Sequence, residues 1–160
     1  MIKKLISVIL AVMCIACACA LDAGGGKNTQ AAKAGAAGAN AMKITITVNG
    51  KTLTASLYDN SSARALVELL KKGSVTIDMH DYGNFEKVGE LPVSLPRNDT
   101  PTNTDAGDLI LYQGKSFVIY YDKNSWNFTP LGKLEGITKA ELKVLLGKGN
   151  VTAVLAAAQP

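Results

Sequence analysis

The sequence predicts a mainly β domain, in the form of a small closed β-barrel with two short capping helices. Most apolar residues after position 41 alternate with polar residues or form short continuous runs, and both patterns are typical of strands. Only two segments have the spacing of an amphipathic helix. No βαβ rhythm repeats along the chain, which argues against a doubly wound parallel sheet. A length of 160 residues leaves room for one domain plus appendages.

Residues 1–20 resemble an export signal peptide. Lys3 and Lys4 provide a basic start, and residues 5–20 are uncharged and almost wholly apolar. This run is shorter than the ~20 residues of a comfortable membrane span. The pattern therefore favours a signal that is removed over a retained, tilted anchor, and it predicts an exported, extracytoplasmic protein.

All three cysteines of the chain, Cys14, Cys17 and Cys19, lie in this segment. Ordinary signal peptidase would cleave after Ala20, whereas a bacterial lipoprotein would carry its lipid on Cys17 or Cys19. The segment favours the lipoprotein, although neither cysteine has the Leu that usually stands three places before the lipidated residue. Since the cysteines lie within an apolar run, residues 5–20, that contains no His, Asp or Glu, they do not predict a metal site. The later domain has no thiol or disulfide chemistry.

Residues 21–41 predict a flexible Gly/Ala-rich tether. The segment contains no aromatic residue and, after Leu21, no large aliphatic one. It cannot bury enough apolar surface to offset the entropy of becoming ordered. The folded domain is therefore expected to span residues 42–158.

A β-hairpin opens the domain. Ile44, Ile46 and Val48 alternate with polar residues, Asn49-Gly50 is a strong two-residue turn signal, and a second alternating run follows. A two-residue turn pairs Ile44 with Ala55, Ile46 with Leu53 and Val48 with Lys51. Because paired residues share a face, both apolar sets lie on the same side of the hairpin.

A helix and a strand follow. Ser61 or Ser62 is expected to cap the helix, and Gly73 is expected to end it. Val75, Ile77 and Met79 form the buried side of the next strand, with His80 on the opposite side.

Residues 81–108 predict a long polar loop with a short apolar interruption at 88–95. Long irregular segments inside compact domains tend to carry function. Two apolar strands follow at 109–112 and 117–121, but their nearly continuous apolar character does not indicate which face is buried.

The last third predicts a turn, a short strand, a helix and a final strand. The turn is at 123–125, and the strand at 126–128 is expected to end at Thr129-Pro130. Thr138 and Glu141 have the spacing of a capping box, with Gly147 ending the helix. Residues 151–155 are the expected last strand.

Four segments together resemble the bacterial cyclophilin-like domain family. They are MKITITVNGKTLTASLYD at 42–59, DYGNFEKVGELP at 81–92, AGDLILYQGKSFVIYY at 106–121 and PLGKLEG at 130–136. The resemblance covers essentially all of the chain after the tether. It implies a cyclophilin-type β-barrel capped by short helices, and it supplies a shape more than a reaction.

The resemblance carries over no catalytic residue. True cyclophilins isomerise X-Pro bonds with an arginine beside a Phe/Met/Gln constellation, and their FHR and F-M-x-Q signatures have no counterpart here. The domain's two arginines, Arg64 and Arg97, lie in no matching motif. The sequence therefore favours a binding module for a peptide or small ligand over an enzyme. The alternative is a peptidyl-prolyl cis-trans isomerase with an atypical active site.

Five residues are the candidate ligand contacts: His80, Tyr82, Glu86, Arg97 and Trp126. His80 is the only histidine, so it could carry a proton near neutral pH but cannot belong to a two-histidine metal centre. Trp126 lies among polar residues, as amphipathic aromatic residues at binding surfaces often do. Structural roles are the alternatives: an exposed His80, a solvated Glu86 and a Trp126 packed at the edge of the core.

Charge and composition limit the partners. The formal charge is +4, from 17 basic and 13 acidic residues, and it forms no basic stripe, so we expect no nucleic-acid binding. We expect no cofactor and no metal, because the carboxylates match no metal-binding spacing. Contact with a membrane is expected only through a lipid anchor or the signal segment. The oligomeric state is left open.

Overall fold

A computed structural model describes residues 42–159, and the predicted signal peptide, the tether and its boundary at 41, and the candidate lipid-attachment residues Cys17 and Cys19 lie outside this range. Within it, a mainly β fold with two helices is confirmed. The strands are Lys43–Val48 (β1), Lys51–Leu57 (β2), Val75–Tyr82 (β3), Glu86–Glu90 (β4), Thr100–Thr104 (β5), Asp108–Tyr112 (β6), Ser116–Tyr120 (β7), Asn124–Leu134 (β8) and Val151–Ala157 (β9). The helices are Ser61–Lys71 (α1) and Lys139–Leu146 (α2).

The strands form one antiparallel sheet in the order β2-β1-β9-β3-β4-β7-β6-β8-β5. β2 also pairs with β8, from Ala55 opposite Leu134 to Leu57 opposite Gly132. Gly132 has no space for a side chain, because a Cβ there would collide with the Ser56 carbonyl oxygen. None of the helices described for residues 42–159 is both long enough and apolar enough to cross a membrane.

The opening hairpin has the predicted register. Ile44 pairs with Ala55, Ile46 with Leu53 and Val48 with Lys51. Asn49 and Gly50 both have positive φ, as the two-residue turn requires. The apolar side chains of both strands are buried, so local turn chemistry and overall packing agree.

The start of α1 differs from the prediction by one residue. Asn60, and not Ser61 or Ser62, is the N-cap, and its side chain accepts a hydrogen bond from the Ala63 amide. Ser62 is instead fully buried and donates to the Pro96 carbonyl at 2.5 Å. The second helix begins as predicted, with both hydrogen bonds of the capping box between Thr138 and Glu141 present.

The prediction of one long loop at 81–108 is wrong, because this segment contains β4 and β5. β4 was not recognised because its inward side chain is Lys87, which is fully buried and pairs with Asp81 at 2.6 Å. β5 is polar and contains Pro101, as an edge strand tolerates, and it pairs only with β8. The irregular part is limited to residues 91–99.

The predicted turn at 123–125 and strand end at Thr129-Pro130 are also wrong. β8 begins at Asn124 and runs through Pro130 to Leu134. Its register with β6 shifts there, since Leu109 pairs with Gly132 and Ile110 with Pro130. This irregularity accommodates a proline within a paired strand. The first half of β8 pairs with β5 and the second half with β6 and β2.

The sheet has an apolar cluster on each of its two faces. The main core contains Leu109 and Leu111 of β6 together with Phe117 and Ile119 of β7. A smaller cluster on the opposite face contains Ile110, Val118, Tyr120 and Phe128. β6 and β7 are thus buried on both faces, which explains why their sequences are continuously apolar and do not alternate.

Candidate ligand-binding site

The candidate site lies on the face of the sheet opposite the main core, which we call the second face. Two rows of side chains cross the strands there, as the pairing registers establish. One row consists of His80 on β3, Val88 on β4, Val118 on β7 and Ile110 on β6. The adjacent row consists of Tyr82 on β3, Glu86 on β4 and Tyr120 on β7.

The first half of β8 borders this face. Phe128 packs against the rings of Tyr120 and Tyr112, with ring centroids 5.7 and 6.2 Å apart. Trp126 lies two residues earlier and is 65% exposed. Because β8 continues beyond its pairing with β6 and pairs there with β5, its aromatic residues come to lie beside the second face.

The space between these elements is a cavity of about 430 Å³, which we call the Glu86 cavity. Its size falls within the usual range for small-molecule sites. Its lining residues are His80, Tyr82, Glu86, Val88, Tyr112, Ser116, Val118, Tyr120, Asn124, Trp126 and Phe128.

Glu86 is the buried charged residue of this cavity. Glu86 as a residue is only 8% exposed. Its Oε2 atom is buried and has no hydrogen-bond partner among the described residues 42–159. Burial raises the pKa of Glu86, although the nearby Tyr120 hydroxyl and His80 act in the opposite direction. Burial also raises the pKa of Tyr120, and the neighbouring Glu86 raises it further.

Aromatic side chains surround this carboxyl group and extend to the solvent. Phe85 stacks on Tyr120 with nearly parallel rings, 6° apart, and Tyr82 meets the edge of Phe85. Tyr82 is 59% exposed, and Asn124 donates to the Tyr120 hydroxyl at 3.2 Å. The lining of the cavity therefore combines two exposed aromatic side chains, Tyr82 and Trp126, with the largely buried side chain of Glu86.

Arg97 lies in a neighbouring cavity of about 480 Å³, which we call the Arg97 cavity. Its Nε atom donates to Asp99 Oδ2 at 2.9 Å. This partnership, with a further hydrogen bond from Thr129, lowers the pKa of Asp99. Tyr112 and Trp126 line both cavities and so connect them.

A polar network holds the segment that carries Arg97. Asn98 donates from its side chain to Ser61 and Ser62 of α1, at 2.8 and 2.6 Å. Its backbone amide donates to Thr129 of β8 at 2.8 Å. These hydrogen bonds join the irregular segment to both α1 and β8 next to Arg97.

Four of the five candidate residues thus line the Glu86 cavity, and the fifth lines its neighbour. Trp126 is common to both. Sequence reasoning did not single out Tyr120, Val118 and Phe128 as lining residues. The available signal was the two-sided apolar character of β7, which indicates a second buried face without saying what covers it.

The described residues contain no group of three His, Cys, Asp or Glu side chains placed to hold a metal ion. The chemistry that the Glu86 cavity offers is therefore that of one carboxyl group, one imidazole, phenol and amide groups, and aromatic rings.

The fold is a mainly β sheet with two helices, and the comparisons with known proteins give its class. The sequence model of the Cyclophilin-like family matches residues 46–156, and the chain belongs to this family. The solution structure of a hypothetical protein from Archaeoglobus fulgidus has a similar fold, with a TM-score of 0.53 and 15% sequence identity. That similarity covers 74% of this chain and 95% of the archaeal one. The comparison with curated proteins finds no match.

Proposed function

We propose that this cyclophilin-like domain is an extracytoplasmic binding module that holds a peptide or small ligand in the Glu86 cavity. The observation that carries the proposal is the Glu86 carboxyl group, which lines an aromatic cavity and whose Oε2 atom is buried without a hydrogen-bond partner among the described residues. A buried polar atom without a partner costs about 1–3 kcal/mol, which a ligand donor would recover. Exposed aromatic side chains such as Trp126 are common contact residues at binding surfaces.

A rigid support is part of this proposal. The strand order together with the pairing of β2 with β8 supports a closed barrel of eight strands, from which β5 branches at β8. In such a barrel the main core fills the interior and the second face lies outside. Ligand contacts on paired strands are held more precisely than contacts on loops.

The test uses the single tryptophan of the chain, Trp126, which lines the cavity. A pooled library of acetylated and amidated tetrapeptides is screened by ligand-observed NMR, and hits are titrated by Trp126 fluorescence. Trp126→Ala and His80→Ala are expected to weaken the hits, as NMR titration measures, while the melting curves stay nearly unchanged. The proposal fails if no peptide binds, or if both variants simply unfold the domain.

A second candidate function is prolyl isomerisation, which the position of Arg97 favours. Its guanidinium group lies in a cavity beside Tyr112 and Trp126. Easing amide rotation against a barrier of about 20 kcal/mol needs an electrostatic contact with the amide. Against this, Asp99 already binds the guanidinium group.

A coupled isomerisation assay on an X-Pro peptide separates the two candidates. A binding module leaves the isomerisation rate unchanged. A rate enhancement that is lost in Arg97→Ala and kept in Arg64→Ala would replace the binding proposal with the enzyme. Arg64 is the matched control because it lies on α1 and pairs with Asp59, away from both cavities.

A further inference from the structure

The charges around the Glu86 cavity define the class of ligand that fits it. The lining includes one carboxylate, Glu86, and one imidazole, His80, but no lysine or arginine, so no permanently cationic side chain lines the cavity. Lys87 follows Glu86 on β4, but it lies on the other face and binds Asp81 and the carbonyls of Gly147 and Gly149. The nearest arginine pair, Arg97 with Asp99, belongs to the neighbouring cavity.

We propose that the Glu86 cavity selects an organic cation, an ammonium or guanidinium group, with Glu86 as its counter-ion. This inference rests on the proposed binding function and names its ligand class. A cation that donates to the Glu86 carboxylate from within the cavity would neutralise its charge and add a partner to a group that is short of hydrogen bonds. An anionic ligand would instead be repelled by the same carboxylate.

The walls of the cavity support the same class. Five aromatic side chains line the cavity, and aromatic faces attract cations. They are Tyr82, Tyr112, Tyr120, Trp126 and Phe128. Trp126 and Tyr82 are exposed, so their rings are accessible to a cationic group that binds in the cavity. A carboxylate beside aromatic rings favours a cation over a neutral group of the same shape.

The experiment compares two probes of nearly equal shape, N-acetyl-arginine N-methylamide and the uncharged N-acetyl-citrulline N-methylamide. Isothermal titration and Trp126 fluorescence measure both affinities. A charge-assisted hydrogen bond predicts tighter binding of the arginine probe by about 10- to 100-fold. Glu86→Gln is expected to abolish this preference.

Glu90→Gln is the matched control. Glu90 lies on the same strand as Glu86, and the substitution is the same. Glu90 however pairs with Lys115 and lies outside the cavity lining. The preference for the arginine probe should be unchanged in this variant. Equal affinity for the two probes, a preference that survives in Glu86→Gln, or no binding of either probe would each overturn the inference.

Agmatine, which has the guanidinium group without the peptide backbone, distinguishes the two sources of such a cation. Agmatine binding as tightly as the arginine probe indicates a free amine, and weaker binding indicates a peptide side chain; either supports the cation class. Failure of the inference is distinguishable from failure of the proposed function. If library peptides bind without regard to charge, only the cation inference fails, and if nothing binds, both fail.

Discussion

At the scale of single residues, the Glu86 carboxyl group that we propose to bind the ligand also lowers the stability of the ligand-free domain. A folded-state pKa above the unfolded value means that the native state holds its proton more tightly. Protonated Glu86 therefore gives its full stabilisation of the native state at pH values below its ordinary pKa of 4.5. It is lost as the pH rises through the raised, folded-state pKa. Above that folded-state pKa the ionised carboxylate, with Oε2 unpartnered, opposes folding.

We predict that Glu86→Gln stabilises the ligand-free domain at neutral pH by about 1–3 kcal/mol, because it removes a buried charge that lacks a full set of partners. At pH values well below the ordinary pKa, wild type and variant should have nearly equal stability. Urea unfolding across this pH range measures the difference. Glu90→Gln, which changes an exposed carboxylate, should not show this pH-dependent difference in stability from the wild type. A Glu86→Gln variant that is less stable at neutral pH would contradict the prediction.

Lys87 and Asp81 form the opposite kind of buried pair. Lys87 is fully buried, and its Nζ atom lies 2.6 Å from both Asp81 Oδ2 and the Gly149 carbonyl oxygen. Burial acts to raise the pKa of Asp81, but hydrogen bonds from Lys87 and Tyr121 outweigh it and leave this pKa below its usual value. The pair also fastens β4 to the connection between α2 and β9.

We predict that Asp81→Asn destabilises the domain by about 3 kcal/mol, because it leaves a buried lysine without its counter-ion. Since the pKa of Asp81 is lowered on folding, its stabilisation is present above the ordinary value of 3.8 and is lost as the pH falls through the folded-state pKa. Urea unfolding at neutral and acid pH measures both effects. Asp59→Asn, which breaks the exposed ion pair with Arg64, should have little effect. Equal losses for the two variants would refute a special role for the buried pair.

At the scale of elements, β8 joins the fold to the candidate site. Its second half pairs with β6 and β2, and its first half carries Phe128 and Trp126 beside the second face. The two aromatic residues differ mainly in burial, since Phe128 is buried in the smaller apolar cluster and Trp126 is exposed. One strand therefore carries both a structural aromatic residue and a candidate ligand contact.

This difference gives a matched pair of variants. Phe128→Ala is expected to cost about 3–5 kcal/mol, because it removes the ring that packs between Tyr120 and Tyr112. Trp126→Ala should cost less than about 1 kcal/mol, since most of its side chain already faces solvent. Thermal unfolding of both variants measures the contrast. Similar losses for the two would mean that Trp126 is part of the packed structure, and it would weaken the proposed binding role.

The elements also divide into those that the sequence predicts and those that it does not. The first hairpin was predicted to its register, because alternation and the Asn-Gly turn act locally. β4 was missed because a buried Lys87 makes sense only with Asp81, a partner on another strand. The end of β8 was misplaced because the register shift at Pro130 depends on β6.

The candidate site follows the same division. His80 and Tyr82 follow from the alternation of β3, whose inward residues Ile77 and Met79 are buried. The contribution of Tyr120 and Phe128 depends on which strands become neighbours across the sheet. Residues on one strand were thus predictable, and their assembly from five strands into one cavity was not.

At the scale of the whole molecule, the segments beside the domain bear on where a ligand would be met. We propose that the domain is exported and held by a lipid anchor, as the pattern of residues 1–20 and the Gly/Ala-rich composition of residues 21–41 predict. A flexible chain of the tether's length spans roughly 25 Å on average. Such a distance would let the Glu86 cavity meet ligands from outside the cytoplasm while the protein stays at a membrane.

The identity of the lipidated cysteine is the prediction that belongs to this scale. Lipoprotein processing makes the lipidated residue the new N-terminus, so mass spectrometry of the full chain produced in a bacterial host should find a diacylated or triacylated peptide beginning at Cys17 or Cys19. Of the two variants Cys17→Ser and Cys19→Ser, the one at the modified cysteine should abolish lipidation and release the protein from membranes. The other should leave lipidation and membrane attachment unchanged. Cys14→Ser is a further control, because Cys14 is not a candidate attachment site.

An unmodified N-terminus at Leu21 would instead identify ordinary signal-peptidase cleavage and a secreted domain. In that case the domain would reach its ligand by diffusion, and no tether would restrict where it binds.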